Sequence, residues 1–329
     1  MVVVTKENLD AMKSDGNKMI TAALEGNLPL VKEYLSAGTP VNSRDWDDLT
    51  AIMAAAGQCH VDIVEYLVSK GGSVQLVNAV KVNALMEAAL AGCLPLVKYF
   101  ESEGLNVHAT SASGISALWN AASAGHLDVT NFLLSKKVDV NNARNDGVTA
   151  LMAASTRGHT DVTLALLKAG ADVKTVDKDG ISALISASEV GNLSIVKALI
   201  AKGANVNEMS ETGFSPLIIA SAHGHADIAK VLIEAGAKLE LMHPEGVTPL
   251  MYASAGGYKE LVELLLKSGA DVDKRHKQGG SALMEAATFG SEDIVSILIA
   301  QGADVFVIDD DGVSALMSAA SQGHIRIVK

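Results

Sequence analysis

A motif returns along this chain every 33 residues, with no insertion or deletion between copies. In Val148–Lys174, VTALMAASTRGHTDVTLALLKAGADVK, it opens on Thr149. The same place is held by Asn17, Thr50, Asn83, Ser116, Ser182, Ser215, Thr248, Ser281 and Ser314. A period of this size marks a row of small supersecondary units, each too thin to bury its own apolar face, so neighbours must supply the cover. The length of 329 residues would otherwise suggest about two domains. The period overrides that prior, because such arrays grow by adding units and not by thickening one core.

One unit reads as follows. Asn145-Asp146-Gly147 suits a tight turn, with glycine where positive φ is needed. Thr149 stands where a helix N-cap belongs, and the next residue is proline in two copies, Pro216 and Pro249, which suits a first helical position. Leu151, Ala154 and Ser155 share one face of a short first helix, which Gly158-His159 ends. Asp161 opens a second helix with Val162, Leu166 and Leu167 as its apolar stripe. Gly170 is placed for a left-handed C-cap, and Ala171-Asp172-Val173 leads out as an extended segment. Each unit is thus helix, turn, helix and a hairpin-like loop. Placing the turn near each start divides the chain into an N-terminal segment, 1–11, and units at 12–44, 45–77, 78–110, 111–143, 144–176, 177–209, 210–242, 243–275, 276–308 and 309–329, the last one partial.

The pattern TALMAASTRGHTDV…LLKAGADV resembles the ankyrin repeat, as do SPLIIASAHGHADIAKVLIEAGAKL from Ser215 and TPLMYASAGGYKELVELLLKSGADV from Thr248. The resemblance runs over roughly residues 12–329. It implies an all-α ankyrin-repeat solenoid of stacked helix-turn-helix units with short β-hairpin-like loops. It also implies that loop tips and first helices line one concave face, where such proteins bind other proteins without catalysis.

Composition narrows the function classes. The net charge of −12 argues against nucleic acid, since phosphate neutralisation needs clustered Lys and Arg. No stretch of about 20 apolar residues exists to cross a bilayer, and the first residues lack the basic and long apolar regions of a signal peptide. Cys59 and Cys93 form no metal pattern and are not read as a disulfide framework, which fits a reducing compartment. A cytoplasmic or nuclear monomer is expected, with no cofactor and no metal. No dinucleotide, phosphate-loop, zinc-protease, nucleophile-elbow or kinase motif occurs, so no enzyme is expected.

Departures from the pattern carry more information than matches. The turn glycine is replaced by Asp15, Asp48 and Lys81 in the first three units. Cys59 replaces the interhelical glycine of the second unit, and Lys137 the C-cap glycine of the fourth. A non-glycine in a left-handed position costs about 1 kcal/mol, so a weak point is expected at Lys137. The first unit, with Pro29 and Lys32 in its second helix, reads as a cap. The last stops at Ile327-Val328-Lys329, short of its Leu-Leu pair and glycine, so the chain is expected to continue beyond it or to fray there.

Several residue sets invite a chemical reading. His60, His126, His159, His225 and His324 all follow the interhelical turn. Units about 10 Å apart cannot share a metal with bonds of about 2 Å, so these are read as turn residues bonded to neighbouring backbone. His223 is placed to face the groove; His243 and His276, in equivalent loops, are read as meeting solvent or a partner. The acidic tips (Asp45, Asp47 and Asp48, Asp177 and Asp179, Asp309 to Asp311) have no nucleophile beside them and read as solvated turns, or as steering for a basic partner. Met53, Met86, Met152, Met251, Met284 and Met317 recur in one slot and read as packing between units, while Trp119 in that slot should protrude or force repacking.

Partner-binding candidates are the residues whose slots should be exposed: Trp46, Asp47 and Val80 at loop tips, Leu90, Val190 and Phe289 late in first helices, with Trp119 and His223. Trp46, Val80, Leu90 and Trp119 fall in consecutive units, two to four, which also carry most of the departures. The expected function is a protein-interaction scaffold or adaptor. The alternative is a regulatory or targeting segment of a larger protein of kinase, channel or ubiquitin-ligase type.

Overall fold

The computed structural model describes residues 15–329. The expected N-terminal segment, 1–11, and the first three residues of the first unit lie outside the described residues. Among the described residues the chain forms 20 helices in ten successive pairs, and these residues divide into two bodies, 15–171 and 172–329. The first body contains α1 (Asp15–Leu24), α2 (Leu28–Ser36), α3 (Ala51–Ala56), α4 (Val61–Ser69), α5 (Ala84–Leu90), α6 (Leu94–Ser102), α7 (Ala117–Ala124), α8 (Leu127–Ser135), α9 (Ala150–Thr156) and α10 (Thr160–Lys168). The second contains α11 (Ala183–Val190), α12 (Leu193–Ala201), α13 (Pro216–Ala222), α14 (Ala226–Glu234), α15 (Pro249–Ala255), α16 (Lys259–Lys267), α17 (Ala282–Thr288), α18 (Glu292–Ala300), α19 (Ala315–Ser321) and α20 (Ile325–Val328).

Within each body, first helices stack on first helices and second on second, and the first helices meet more extensively. Alanine allows that approach. All six residues of α3 are buried, whereas α4 buries only Ile63, Val64 and Leu67. Each such large side chain taken from water stabilises the stack by about 1.5–3 kcal/mol. In α2 only Val31 is buried, as suits a capping unit. The recurring methionine slot packs between units: Met53, Met86, Met152, Met251 and Met284 are buried, as are Ile185 and Ile218 in the same slot. Met317, on α19, is 57% exposed.

The helix starts follow the expected capping chemistry. The side chains of Thr50, Asn83, Ser116, Thr149, Ser182, Ser215, Thr248 and Ser314 each accept a hydrogen bond from the backbone N–H three residues on. Ser281 has the extended cap backbone without that bond. Asn17 departs from this pattern: it lies buried inside α1.

The loops close as tight hairpins. Arg44 bridges Thr50, Val77 bridges Asn83, and Thr110 bridges Ser116, with further copies along the chain. The residue just after the bridge start organises the turn through its own side chain. Asp45 Oδ1 accepts from the N–H groups of Asp47 and Leu49, at 2.9 Å each, and Asn78, Asp177 and Asp309 do the same in their loops. Neighbouring tips are then tied by a single backbone bond. Ala79 N–H donates to Asp47 O at 3.1 Å, Ala112 to Val80 at 2.8 Å, and Asn145 to Ser113 at 2.9 Å. In the second body Glu211, Lys277 and Asp310 donate likewise, but Pro244 has no N–H to give.

The expected strain at non-glycine turns is present. Asp48, Lys81, Cys59 and Lys137 keep φ of 60°, 62°, 58° and 59°, so the backbone holds the left-handed form that glycine adopts elsewhere. The interhelical glycine is needed for a second reason. A Cβ on Gly26 would lie 2.6 Å from the His60 ring, and one on Gly92 2.5 Å from His126. The following unit's ring occupies the space that glycine leaves.

That contact explains a correction. Against the reading that they are no disulfide framework, Cys59 and Cys93 form a disulfide, with Cα atoms 5.3 Å apart. Cys59 sits in the glycine place of the second unit, and Cys93 in the ring place of the third. Elsewhere these two places are in van der Waals contact, so two cysteines there are brought within bonding distance. The two cysteines are 34 residues apart, the same offset as Gly26 and His60.

Two stability outcomes are expected. Lys137→Gly should stabilise the protein by about 1 kcal/mol, read as a higher urea midpoint by circular dichroism. Reducing the disulfide should cost about 2–4 kcal/mol. The double variant Cys59→Gly/Cys93→His, which restores the regular contact, should unfold at the same midpoint with and without dithiothreitol.

Candidate functional site

Hairpin tips and the outward positions of the first helices are the places where side chains are not consumed by stacking. In the first body, Trp46 is 67% exposed and Val80 53%. They sit on adjacent tips, tied by the bond from Ala79 N–H to Asp47 O. Asp47 is exposed beside Trp46. Leu90, 48% exposed, ends α5 of the unit whose tip carries Val80. The structure therefore brings Trp46, Asp47, Val80 and Leu90 onto two consecutive units. Val77, at the base of the same hairpin, adds a further exposed apolar side chain.

Trp119 does not join them. It is only 8% exposed. Its slot points under the next hairpin, and the Arg144 guanidinium from that hairpin lies over the ring, 5.1 Å from its centroid. A cation over an indole face contributes about 0.5–2 kcal/mol, which helps hold the large ring inward although its N–H has no partner among the described residues. The expectation that Trp119 protrudes for a partner is thus corrected.

In the second body, Val190, His223 and Phe289 occupy the same place at or just after the ends of α11, α13 and α17, and all are exposed. Glycine, Gly256, holds that place in the intervening unit. His223 Nδ1 lies 3.0 Å from the Ile219 carbonyl, and its ring stacks on His225 at 6.0 Å. The five turn histidines behave as expected. His60, His126, His159, His225 and His324 each place Nε2 3.0–3.2 Å from a carbonyl 36 residues earlier.

The loop histidines of the second body differ from expectation, since both have internal contacts. His243 packs on Phe214, with centroids 5.1 Å apart. His276 Nε2 lies 3.5 Å from Glu285 Oε1, while its Nδ1 accepts from Gln278 N–H at 3.1 Å. One ring thus closes the turn with one nitrogen and meets a carboxylate with the other. Burial pushes the Glu285 carboxyl above its ordinary range, and His276 pulls it back. Burial likewise raises Glu208, which accepts a bond from the Ser182 hydroxyl.

A residue that sequence reasoning passed over is Glu87. It belongs to ALMEAAL in α5, three residues before Leu90 and so on the same helix face. The near-identical ALMEAAT in α17 carries Glu285. The two glutamates are 198 residues apart, six periods, and Asn78 is the counterpart of His276. Asn78 Oδ1 is committed to the turn, accepting from Val80 N–H at 3.1 Å and Val82 N–H at 2.9 Å. Among the described residues the Glu87 carboxylate has no hydrogen bond or ion pair, although the Glu87 backbone takes its ordinary helical bonds. Its carboxylate leans over the bare Cα of Gly57: a Cβ there would lie 3.3 Å from Oε2. Burial raises its pKa, with nothing to offset it. The repeat of ALMEAA was the available signal, but it becomes informative only when its loop counterparts are compared.

A family model described as Ankyrin repeats (3 copies) matches residues 19–111, 85–177, 169–243 and 250–329. No curated protein matches the chain. Among the described residues no helix is long and apolar enough to cross a membrane.

The half-buried, unpaired Glu87 has a pH signature. A carboxyl whose pKa is raised on folding favours the fold in its neutral form. That stability is complete below the unfolded value, near 4.5, and is lost as pH rises through the folded value. Glu87→Gln should therefore be more stable than the wild type at pH 7, and the two urea midpoints should converge in acid. A Gln variant that is less stable at pH 7 would mean that Glu87 has an internal partner.

Proposed function

The chain belongs to the ankyrin-repeat family, whose units are generally protein–protein interaction modules, and from that premise we propose that it is a scaffold or adaptor that docks a partner protein through its first body. The observation that carries the proposal is the exposed apolar set Trp46, Val80 and Leu90 on two units whose tips are already tied together. Single exposed apolar residues are ordinary on protein surfaces. Three on adjacent units, one of them a tryptophan at a tip, resemble the anchors that dominate interface energetics.

The frame favours tight binding at low entropic cost. The hairpin is closed by its own Asx-type turn, and the tips are bonded to one another. A partner therefore meets a surface that is ordered before it arrives, and little loop-ordering cost opposes association. A stable contact covers about 800 Å² on each partner, an area that three or four adjacent units present. The function is binding and not chemistry: the loop carboxylates Asp45, Asp177 and Asp309 are occupied as turn acceptors, which leaves them poorly placed as acids or bases.

Single substitutions test the surface. Trp46→Ala should weaken partner binding about tenfold or more, since an anchor of this kind contributes about 2 kcal/mol. Leu90→Asp should abolish it, and neither should move the thermal midpoint by more than a degree or two. Partner affinity by calorimetry, beside thermal unfolding of each variant, reads both. Unchanged affinity with both variants would remove the first body as the docking surface.

A further inference from the structure

We propose that Glu87 is an open counter-ion socket, filled by an arginine or lysine side chain of the docked protein. The inference rests on the docking surface described above and names the chemistry of its partner: a segment in which a basic residue is flanked by apolar ones.

The protein contains its own reference state. In the ninth unit, Glu285 of ALMEAAT is met at 3.5 Å by His276, which is long enough to serve the turn with Nδ1 and the carboxylate with Nε2. In the third unit the same glutamate stands in the same helical place, but its loop counterpart is Asn78. The asparagine amide is shorter, and its oxygen is held by Val80 N–H and Val82 N–H. The carboxylate that the ninth unit neutralises internally is left without a partner in the third.

The surroundings give that vacancy a direction. Glu87 and Leu90 share a face of α5, and the hairpin of the same unit exposes Val77 and Val80. Gly57, the C-cap of the preceding first helix, has no side chain to cover the carboxylate. Of the loop cations, Arg44 is spent on the Val77 carbonyl at 3.1 Å and on Asp48 at 3.5 Å, and Lys81, exposed on the hairpin of the same unit, makes no ion pair with Glu87 among the described residues. A half-buried carboxylate beside apolar surface is poorly hydrated. A cation arriving with its aliphatic stem over Leu90 and Val80 therefore gains a charge-assisted hydrogen bond at a reduced desolvation cost. The raised pKa of Glu87 is the same deficit seen from the proton's side.

The experiment uses the intact chain. A displayed library of random dodecapeptides is selected against the wild type, with Leu90→Asp as counter-selection. Enriched peptides are synthesised with arginine, lysine or the isosteric neutral citrulline at each basic position, and their Kd is measured by fluorescence polarisation. The expected result is a shared arginine or lysine whose replacement by citrulline weakens binding about tenfold. That ratio should fall to near one in Glu87→Gln, and again in Asn78→His, which installs the internal partner of the ninth unit in a loop position where this chain already carries His243 and His276. Cooperative circular dichroism melts with midpoints no lower than that of the wild type show that each variant is folded. Peptides that require Leu90 but carry no basic residue, or whose arginine-to-citrulline ratio survives Glu87→Gln, overturn the socket and leave the docking surface standing. A library that yields no binder sensitive to Leu90→Asp overturns the docking surface and the socket together.

Discussion

Junctions in both bodies repeat one contact. A glycine in left-handed conformation ends the turn between two helices, and the ring of the following unit fills the place where its Cβ would be. His60 does this over Gly26, His126 over Gly92, His225 over Gly191, Tyr258 over Gly224 and His324 over Gly290. Each of the histidines also reaches a carbonyl at the end of the previous first helix, which satisfies one of the acceptors a helix terminus leaves open. The contact sets how closely consecutive units approach, and the burial of the alanine-rich first helices depends on that approach. Thin units have no core of their own, so a spacing error at one junction would expose both units that meet there.

The junction tolerates other chemistry when both of its sides change. At the second junction the glycine and the ring are replaced by Cys59 and Cys93, and a covalent bond takes over from the stacked ring. Ser291 faces Gly257 where a ring would stand elsewhere. The tips show a similar economy. One backbone bond per junction ties them, and where Pro244 removes the donor, its ring instead packs against the space above Gly213. These exchanges keep the 33-residue spacing while altering what holds it.

Because the frame is held by glycines, caps and turn acceptors, the remaining positions are released from structural duty, and that is where the proposed docking surface lies. The exposure of Trp46, Val80 and Leu90 was legible from the sequence because the repeat assigns each position an inside or an outside. Trp119 was misread by the same logic. Its slot faces inward, and whether an indole there protrudes depends on what lies over it, which is Arg144 from the next hairpin. Glu87 was not legible, since a glutamate on a short helix reads as solvated until its neighbours are known. The vacancy beside it is a property of Asn78, whose amide is used locally, and of Gly57, which offers no side chain at all.

The sequence by itself determined the period, the helix pairs, their capping residues and the left-handed places, because these depend on interactions within a few residues and on a pattern repeated ten times. Only the tertiary structure decided the contacts that cross from one unit to the next: the Cys59–Cys93 bond, the inward turn of Trp119, the capture of Glu285 by His276 and the solitude of Glu87. The reason is geometric. Stacking brings residues about one period apart into contact, and their distances depend on the rise and rotation between units, which no single unit encodes.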